Sequence, residues 1–182
     1  EHPESIGETW LLQTGQKGKH IGVLGYYPGE TPPFRWEYVD LDNQRFENDP
    51  RMDRLMKNYQ QQLQDLDLAR SDELSIPLAD GAKFVGAKVC GECHKQAYAK
   101  WSKSKHAHAL ESLSRGRKGM EATWVSRVHD PECLACHVTG WDPQNVLRYD
   151  SGYLDETTTA HLAGQQCENC HGAGNKHTDL ER

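Results

Sequence analysis

The sequence predicts an α+β chain in unequal parts. A small β-sheet-plus-helix unit covers residues 1–70, a linker covers 71–83, and a mostly helical domain with little regular structure covers 84–182. Three observations carry this reading. Three strand-like stretches open the chain, and a proline-started amphipathic helix follows them. Residues 70–83 lack periodicity and contain Pro77 and Gly81. Beyond them the large apolar residues thin out: Ile occurs only at Ile6, Ile21 and Ile76, and neither Phe nor Ile follows Phe84.

Taken in order, residues 1–8 are polar and read as an extended arm. Strands are expected over 9–14, 20–27 and 34–41. Gly15-Gln16-Lys17-Gly18 is a turn signal, and Pro28-Gly29 with Pro32-Pro33 makes a longer loop. Asn48-Asp49-Pro50 starts a helix, with Asp49 as cap and Pro50 in the first turn. That helix runs to about Ala69, with Leu55, Tyr59, Leu63 and Leu66 on one face. Residues 95–113 read as a helix broken around 102–104 and ended by Gly116 and Gly119. Residues 145–149 and 152–154 read as a hairpin around Asp150-Ser151, and 172–177 as a flexible turn ending in His177.

The last hundred residues are organised by one recurring pentapeptide. It reads Cys90-Gly91-Glu92-Cys93-His94, then Cys133-Leu134-Ala135-Cys136-His137, then Cys167-Glu168-Asn169-Cys170-His171. C-x-x-C-H is the c-type haem attachment sequence. Two thiols add across the two vinyl groups of one porphyrin, so they must stand one helical turn apart. The next residue, His, is then the proximal iron ligand. All six cysteines are used. A structural zinc site takes two C-x-x-C pairs and would orphan the third. A thioredoxin-like dithiol needs one pair, and disulfides do not require His after every pair. Three covalently bound haem c groups are therefore expected. They would supply the apolar surface that these residues lack, so the haem-free form is expected to be largely unfolded.

The formal charge is −6, and each haem adds two propionates. No basic nucleic-acid surface is present. No apolar run approaches the roughly 18 residues of a membrane span. Haem c is attached outside the cytoplasmic membrane, and the sequence begins at Glu1. An exported precursor with a cleaved signal is expected, giving a periplasmic or extracellular protein.

The distal ligands decide the chemistry. A second His gives a closed site suited to electron transfer, and an empty position permits substrate binding. Seven histidines lie outside the motifs: His2, His20, His106, His108, His129, His161 and His177. Met52 and Met56 belong to the N-terminal helix, which leaves Met120 as the methionine nearest the haem motifs. Bis-histidine ligation at low potential is the default expectation. His108 would point away from His106 on a helix and is the weaker candidate.

The blocks around the motifs carry a resemblance. Trp101, His106-Ala107-His108-Ala109-Leu110-Glu111-Ser112-Leu113, Val138-Thr139-Gly140, Leu162-Ala163-Gly164-Gln165-Gln166, Gly172-Ala173-Gly174 and His177 accompany the motifs. Over about 84–178 this is similar to the tetrahaem cytochromes c that accept electrons from hydroxylamine oxidoreductase, with three of their four haems. The resemblance implies that His106 ligates the haem of His171, and His177 that of His94. In that family the second-motif haem is five-coordinate, so its ligand does not carry over. His129, His161, His20 and His2 are the candidates here.

A second resemblance covers residues 9–68. Leu11-Leu12-Gln13-Thr14-Gly15-Gln16-Lys17-Gly18-Lys19-His20-Ile21-Gly22, Val39-Asp40-Leu41-Asp42 and the helix with Tyr59 resemble the end of bacterial metallophosphoesterases related to 5′-nucleotidases. The metal-binding blocks of that family are missing, so phosphoester hydrolysis is not expected, and the segment reads as scaffold or contact surface.

The expected function is electron transfer, rather than enzymatic catalysis, with redox partner proteins or extracellular acceptors. A head-to-tail contact between copies of the chain would extend it into a conducting filament. The alternative is a haem enzyme reducing a small nitrogen or oxygen species at an open second haem, with Arg127, His129 and Asp130 nearby in sequence.

Overall fold

The computed structural model describes residues 3–71, 73, 75–116 and 118–182. His2 lies outside the described residues. The chain divides into two compact units, Glu1–Asp53 and Arg54–Arg182. Helices and small sheets are mixed along it, as an α+β chain requires. Among the described residues, no helix is long and apolar enough to cross a membrane.

In the first unit the strands pair as two separate ribbons. β1 (Glu4–Ile6) and β2 (Thr9–Leu11) are antiparallel, so part of the expected arm is a strand. β3 (His20–Tyr26) pairs antiparallel with β4 (Phe34–Asp40), from His20 opposite Asp40 to Tyr26 opposite Phe34. Gly22 is needed there, because a Cβ would stand 1.9 Å from the Trp36 ring. Both faces stay wet: Ile21, Val23, Leu24 and Tyr26 are exposed. A ribbon of two strands is marginal by itself.

α1 spans Pro50–Leu66, and the division between the units falls in its first turn. Asp49 is its cap as the sequence predicts, its Oδ1 accepting the Arg51 N–H at 2.8 Å. The Arg51 side chain, and then that amide, hold the Asp49 carboxyl below its usual range. The helix stops when Asp67 turns left-handed, at φ 43°.

In the second unit α1 does not bury the stripe that periodicity predicts. Gln60 and Leu63 are buried, while Leu55, Tyr59 and Leu66 are exposed. Burying Gln60 is possible because its Nε2 donates to Asp130 Oδ2 at 2.9 Å. Asp130 is itself the cap of α5 (Pro131–His137), accepting the Glu132 N–H at 3.1 Å.

The remaining helices are short: α2 (Ala87–Cys93), α3 (Lys95–Trp101), α4 (Glu111–Arg115), α6 (Glu168–His171) and α7 (Asn175–Leu180). The helix expected over 95–113 is broken from 102, as expected, but the turns extend to 110, just before α4 begins. A small sheet takes the order β5–β7–β6, with β5 Ser75–Ile76, β6 Trp141–Asp142 and β7 Leu147–Tyr149. The hairpin is therefore β6 with β7, not a turn at Asp150-Ser151. Its turn is closed by the Asp142 carboxylate, which accepts Gln144 N–H at 2.9 Å and Asn145 Nδ2 at 2.7 Å.

The second unit also owns a side-chain core that composition did not reveal. Ala69, Leu110, Leu113, Leu134, Ala135, Val138, Trp141, Tyr153 and Leu162 pack together, with Phe84, Val128 and Cys133 against them. Leu134, Val138 and Leu162 are fully buried. The Trp141 indole N–H is satisfied by the Tyr153 carbonyl at 2.8 Å. This core lies around the second motif. On α2 only Ala87 is buried, and α3 and α7 bury no residue.

Candidate functional site

Each C-x-x-C-H sits on a short helix, which is what its spacing asks for. His94 N–H bonds the Cys90 carbonyl at 2.9 Å, and His171 N–H bonds the Cys167 carbonyl at 3.0 Å. Cys133, Cys136 and His137 share α5. One turn therefore brings both sulfurs of a pair to the same side. None of the six cysteines is in a disulfide; Cys93, Cys136 and Cys170 are exposed, and Cys90, Cys133 and Cys167 are half-buried. Among the described residues, no three His, Cys, Asp or Glu side chains converge as a metal ion would need.

The first and third motifs face one cavity of about 450 Å³. Cys90, His94, Cys167, His171 and His177 all line it. Burial pushes the Cys90 thiol up to about 11, with the neighbouring Cys167 and Glu168 adding to the rise. The first thiols of two motifs thus lie side by side.

His177 is placed by α7, so the expected flexible turn is an ordered helix. Asn175 anchors its start: Lys83 N–H donates to Asn175 Oδ1 at 2.7 Å, and Asn175 N–H to the Lys83 carbonyl at 3.2 Å. Arg182 pairs with Glu92 at 2.5 Å and ties its far end to the first motif. The rings of His94 and His177 are 6.2 Å apart, centre to centre, and 20° from parallel. A metal–imidazole bond is about 2 Å long and a ring nitrogen lies about 1 Å from its ring centre, so two imidazoles sharing a metal stand about 6 Å apart.

His137 is oriented from behind. Its Nδ1 donates to the Ala109 carbonyl at 2.7 Å, with Ser112 Oγ at 3.2 Å. A proton fixed on Nδ1 leaves Nε2 free to bind a metal, the arrangement that second-shell carbonyls impose on ligating histidines. Burial pushes the Cys133 thiol up to about 11, with Asp130 adding to the rise and Arg127 opposing it.

His106 is exposed, but its backbone is pinned to the approach to the third motif. Gln165 N–H donates to the His106 carbonyl at 2.9 Å, and Trp101 Nε1 to the Gln165 carbonyl at 2.8 Å. Gly164 permits this contact: its φ is +82°, and a Cβ there would stand 2.7 Å from the Ala107 carbonyl. The other candidates are scattered. His129 is exposed and lines a separate cavity with Arg70, Tyr153 and Asp155. His161 is exposed, and its carbonyl accepts from Gln166 Nε2 at 2.8 Å. His20, in the first unit, holds Asp40 at 2.7 Å and stacks on Tyr38. His108 pairs with Glu111 at 3.3 Å.

Two site residues escaped the sequence reading: Glu168 and Asn169, the variable positions of the third motif. Asn169 Nδ2 donates to the Val138 carbonyl at 2.9 Å, and its Oδ1 accepts from Thr139 Oγ1 at 2.8 Å. It ties the third motif to the exit of the second.

These residues fit haem c: paired thiols one turn apart, an adjoining imidazole, and a second imidazole facing one of them across an open cavity. The side-chain core around the second motif sets the expectation of a largely unfolded haem-free chain aside for that region, and yields a test on the haem-free chain. At pH 8, iodoacetamide is expected to modify exposed Cys136 far faster than Cys133. A thiol raised from 9.0 to about 11 carries about a hundredfold less thiolate at a given pH below both values. Equal rates, read by mass spectrometry, would show that the core around the second motif does not form without haem.

Comparison with known protein families agrees with this chemistry. Residues 89–172 match the family described as cytochrome c554 and c-prime. The solved structure of the reduced state of cytochrome c554 from Nitrosomonas europaea is 34% identical over 55% of this chain and 49% of that chain, with a TM-score of 0.45. The present chain spans about half the length of that protein. No curated protein matches the chain. Attachment sequences, site geometry and the family match over residues 89–172 together support a multihaem c-type cytochrome.

Proposed function

We propose that the chain carries three haem c groups and passes electrons between redox partner proteins, or to an extracellular acceptor, through closely packed and mostly bis-histidine irons. Cys90 and Cys93, Cys133 and Cys136, and Cys167 and Cys170 hold the porphyrins, and His94, His137 and His171 are the proximal ligands. Haem c supplies the one-electron chemistry when bound, and the protein sets ligation, spacing and potential. The observation that carries the reading is the His94–His177 pair, two near-parallel rings 6.2 Å apart. The pinning of His106 beside Gln165 supports His106 as the distal ligand of the haem of His171. For the haem of His137 the candidates remain His129, His161, His20 and His2. Thioether attachment is made outside the cytoplasmic membrane, which supports a periplasmic or extracellular location.

A head-to-tail filament of this chain is the extended form of the same proposal. What supports it is the exposed apolar surface of the β3–β4 ribbon, with Ile21, Val23 and Leu24 about half exposed. Protein that stays monomeric at high concentration would count against it.

A pyridine haemochrome assay and intact mass should find three haems per chain. His177→Ala and His106→Ala should each keep all three and open a different one, seen as a high-spin ferric signal and carbon monoxide binding after reduction. An unchanged low-spin spectrum in either variant refutes that pairing, and a bare polypeptide mass refutes the whole reading. Carbon monoxide binding by the parent protein would mark an open second haem and favour the enzymatic alternative.

A further inference from the structure

The acidic residue inside the third motif is placed to act on the first. Glu168 follows Cys167, and its side chain is buried, at 3% exposure. Its carboxylate is held by main-chain amides. Val85 N–H donates to it at 3.0 and 3.2 Å, Gly86 N–H at 2.7 Å, and Gly174 N–H at 2.8 Å. Gly86 precedes α2, which carries Cys90 and ends at His94. Gly174 precedes α7, which carries His177. One carboxylate therefore grips the roots of both elements that present imidazoles to each other. Glu168 also lines the same cavity as His94, His171 and His177.

We propose that Glu168 is a positioning residue for the iron ligands of the first motif: it fixes the separation of His94 and His177, and its buried charge favours the oxidised state of the iron between them. This rests on the bis-histidine reading above. The physical basis has two parts. A carboxylate that accepts three amide bonds keeps their donors in one fixed geometry, and charge-assisted bonds of this kind are the strong ones. A negative charge in a low-dielectric cavity stabilises the ferric form, which carries one more positive charge than the ferrous, and so lowers the reduction potential.

Three variants of the haem-loaded protein test this. Glu168→Gln keeps the shape and removes the charge, Glu168→Ala removes both, and Glu132→Gln deletes an exposed carboxylate as control. In Glu168→Ala, with three haems still attached, one haem should gain carbon monoxide binding and a high-spin signal, as in His177→Ala. Combining the two changes should open no further haem. In Glu168→Gln one midpoint potential should rise, by more than in Glu132→Gln. If Glu168→Ala is not recovered, the potential shift in Glu168→Gln decides. Parent-like spectra and potentials in the Glu168 variants, while His177→Ala opens a haem, would overturn the role given to Glu168 and leave the ligand pairing intact. Failure of His177→Ala to open any haem would instead overturn the ligand pairing itself.

Discussion

Changing Cys90 and Cys93 together to alanine is expected to unfold much more of the chain than changing Cys133 and Cys136 together. Near the first motif little else holds the backbone. Ala87 is the buried residue of α2, and neither α3 nor α7 buries one. What these helices share instead is the cavity lined by Cys90, His94 and His177. If a porphyrin on Cys90 and Cys93 fills that cavity, as proposed, its loss deprives the cavity walls of their packing partner, and ordering the chain has no return to set against its entropy. The second motif differs. Leu134, Ala135 and Val138 belong to the buried cluster, so α5 keeps its packing when its haem is lost. Limited proteolysis should therefore leave a resistant fragment around residues 105–165 in the Cys133/Cys136 variant. In the Cys90/Cys93 variant, cleavage should spread through residues 84–100 and 172–182. Equal resistance in the two variants would show that the side-chain cluster contributes no more than the porphyrins do.

Leu134→Ala should be the most damaging single substitution away from the haem ligands. The side chain is fully buried, at 0% exposure, in the middle of the cluster. Leu→Ala at such a site costs about 2–5 kcal/mol, because transfer and cavity terms add. Domains of this size hold about 5–15 kcal/mol in total. The midpoint of denaturant unfolding should fall accordingly, with three haems still attached in the folded fraction. A loss below about 1 kcal/mol, the range of an exposed position, would mean that the cluster relaxes to fill the space.

How much of this was legible in the sequence differs by element. The attachment sequences were, because thioether chemistry dictates both residue type and spacing. The α1 cap was, because Asp49-Pro50 is a local signal with a local cause. The core was not. Its members run from Ala69 to Leu162 without a repeating interval, so no window of sequence contains the pattern. The α1 face was misread because Gln60 is buried through Asp130, a partner far away in sequence. α7 was read as a flexible turn because Gly172, Ala173 and Gly174 suggest one. Its order comes from Lys83 and Glu168, which lie elsewhere in the chain. Glu168 and Asn169 were invisible for a related reason. Thioether attachment places no demand on the two residues between the cysteines, so only tertiary structure shows what they do.

Those two residues bear on the proposed path of electrons. Tunnelling between redox centres weakens steeply with separation, so a conduit needs its centres at constant spacing. Here long helices do not provide the rigid frame. Glu168 reaches the entry to the first attachment site and Asn169 the exit of the second, while both belong to the third. If all three attachment sequences carry haem, as proposed, the spacing between those haems would depend on two polar side chains that attachment chemistry itself does not require.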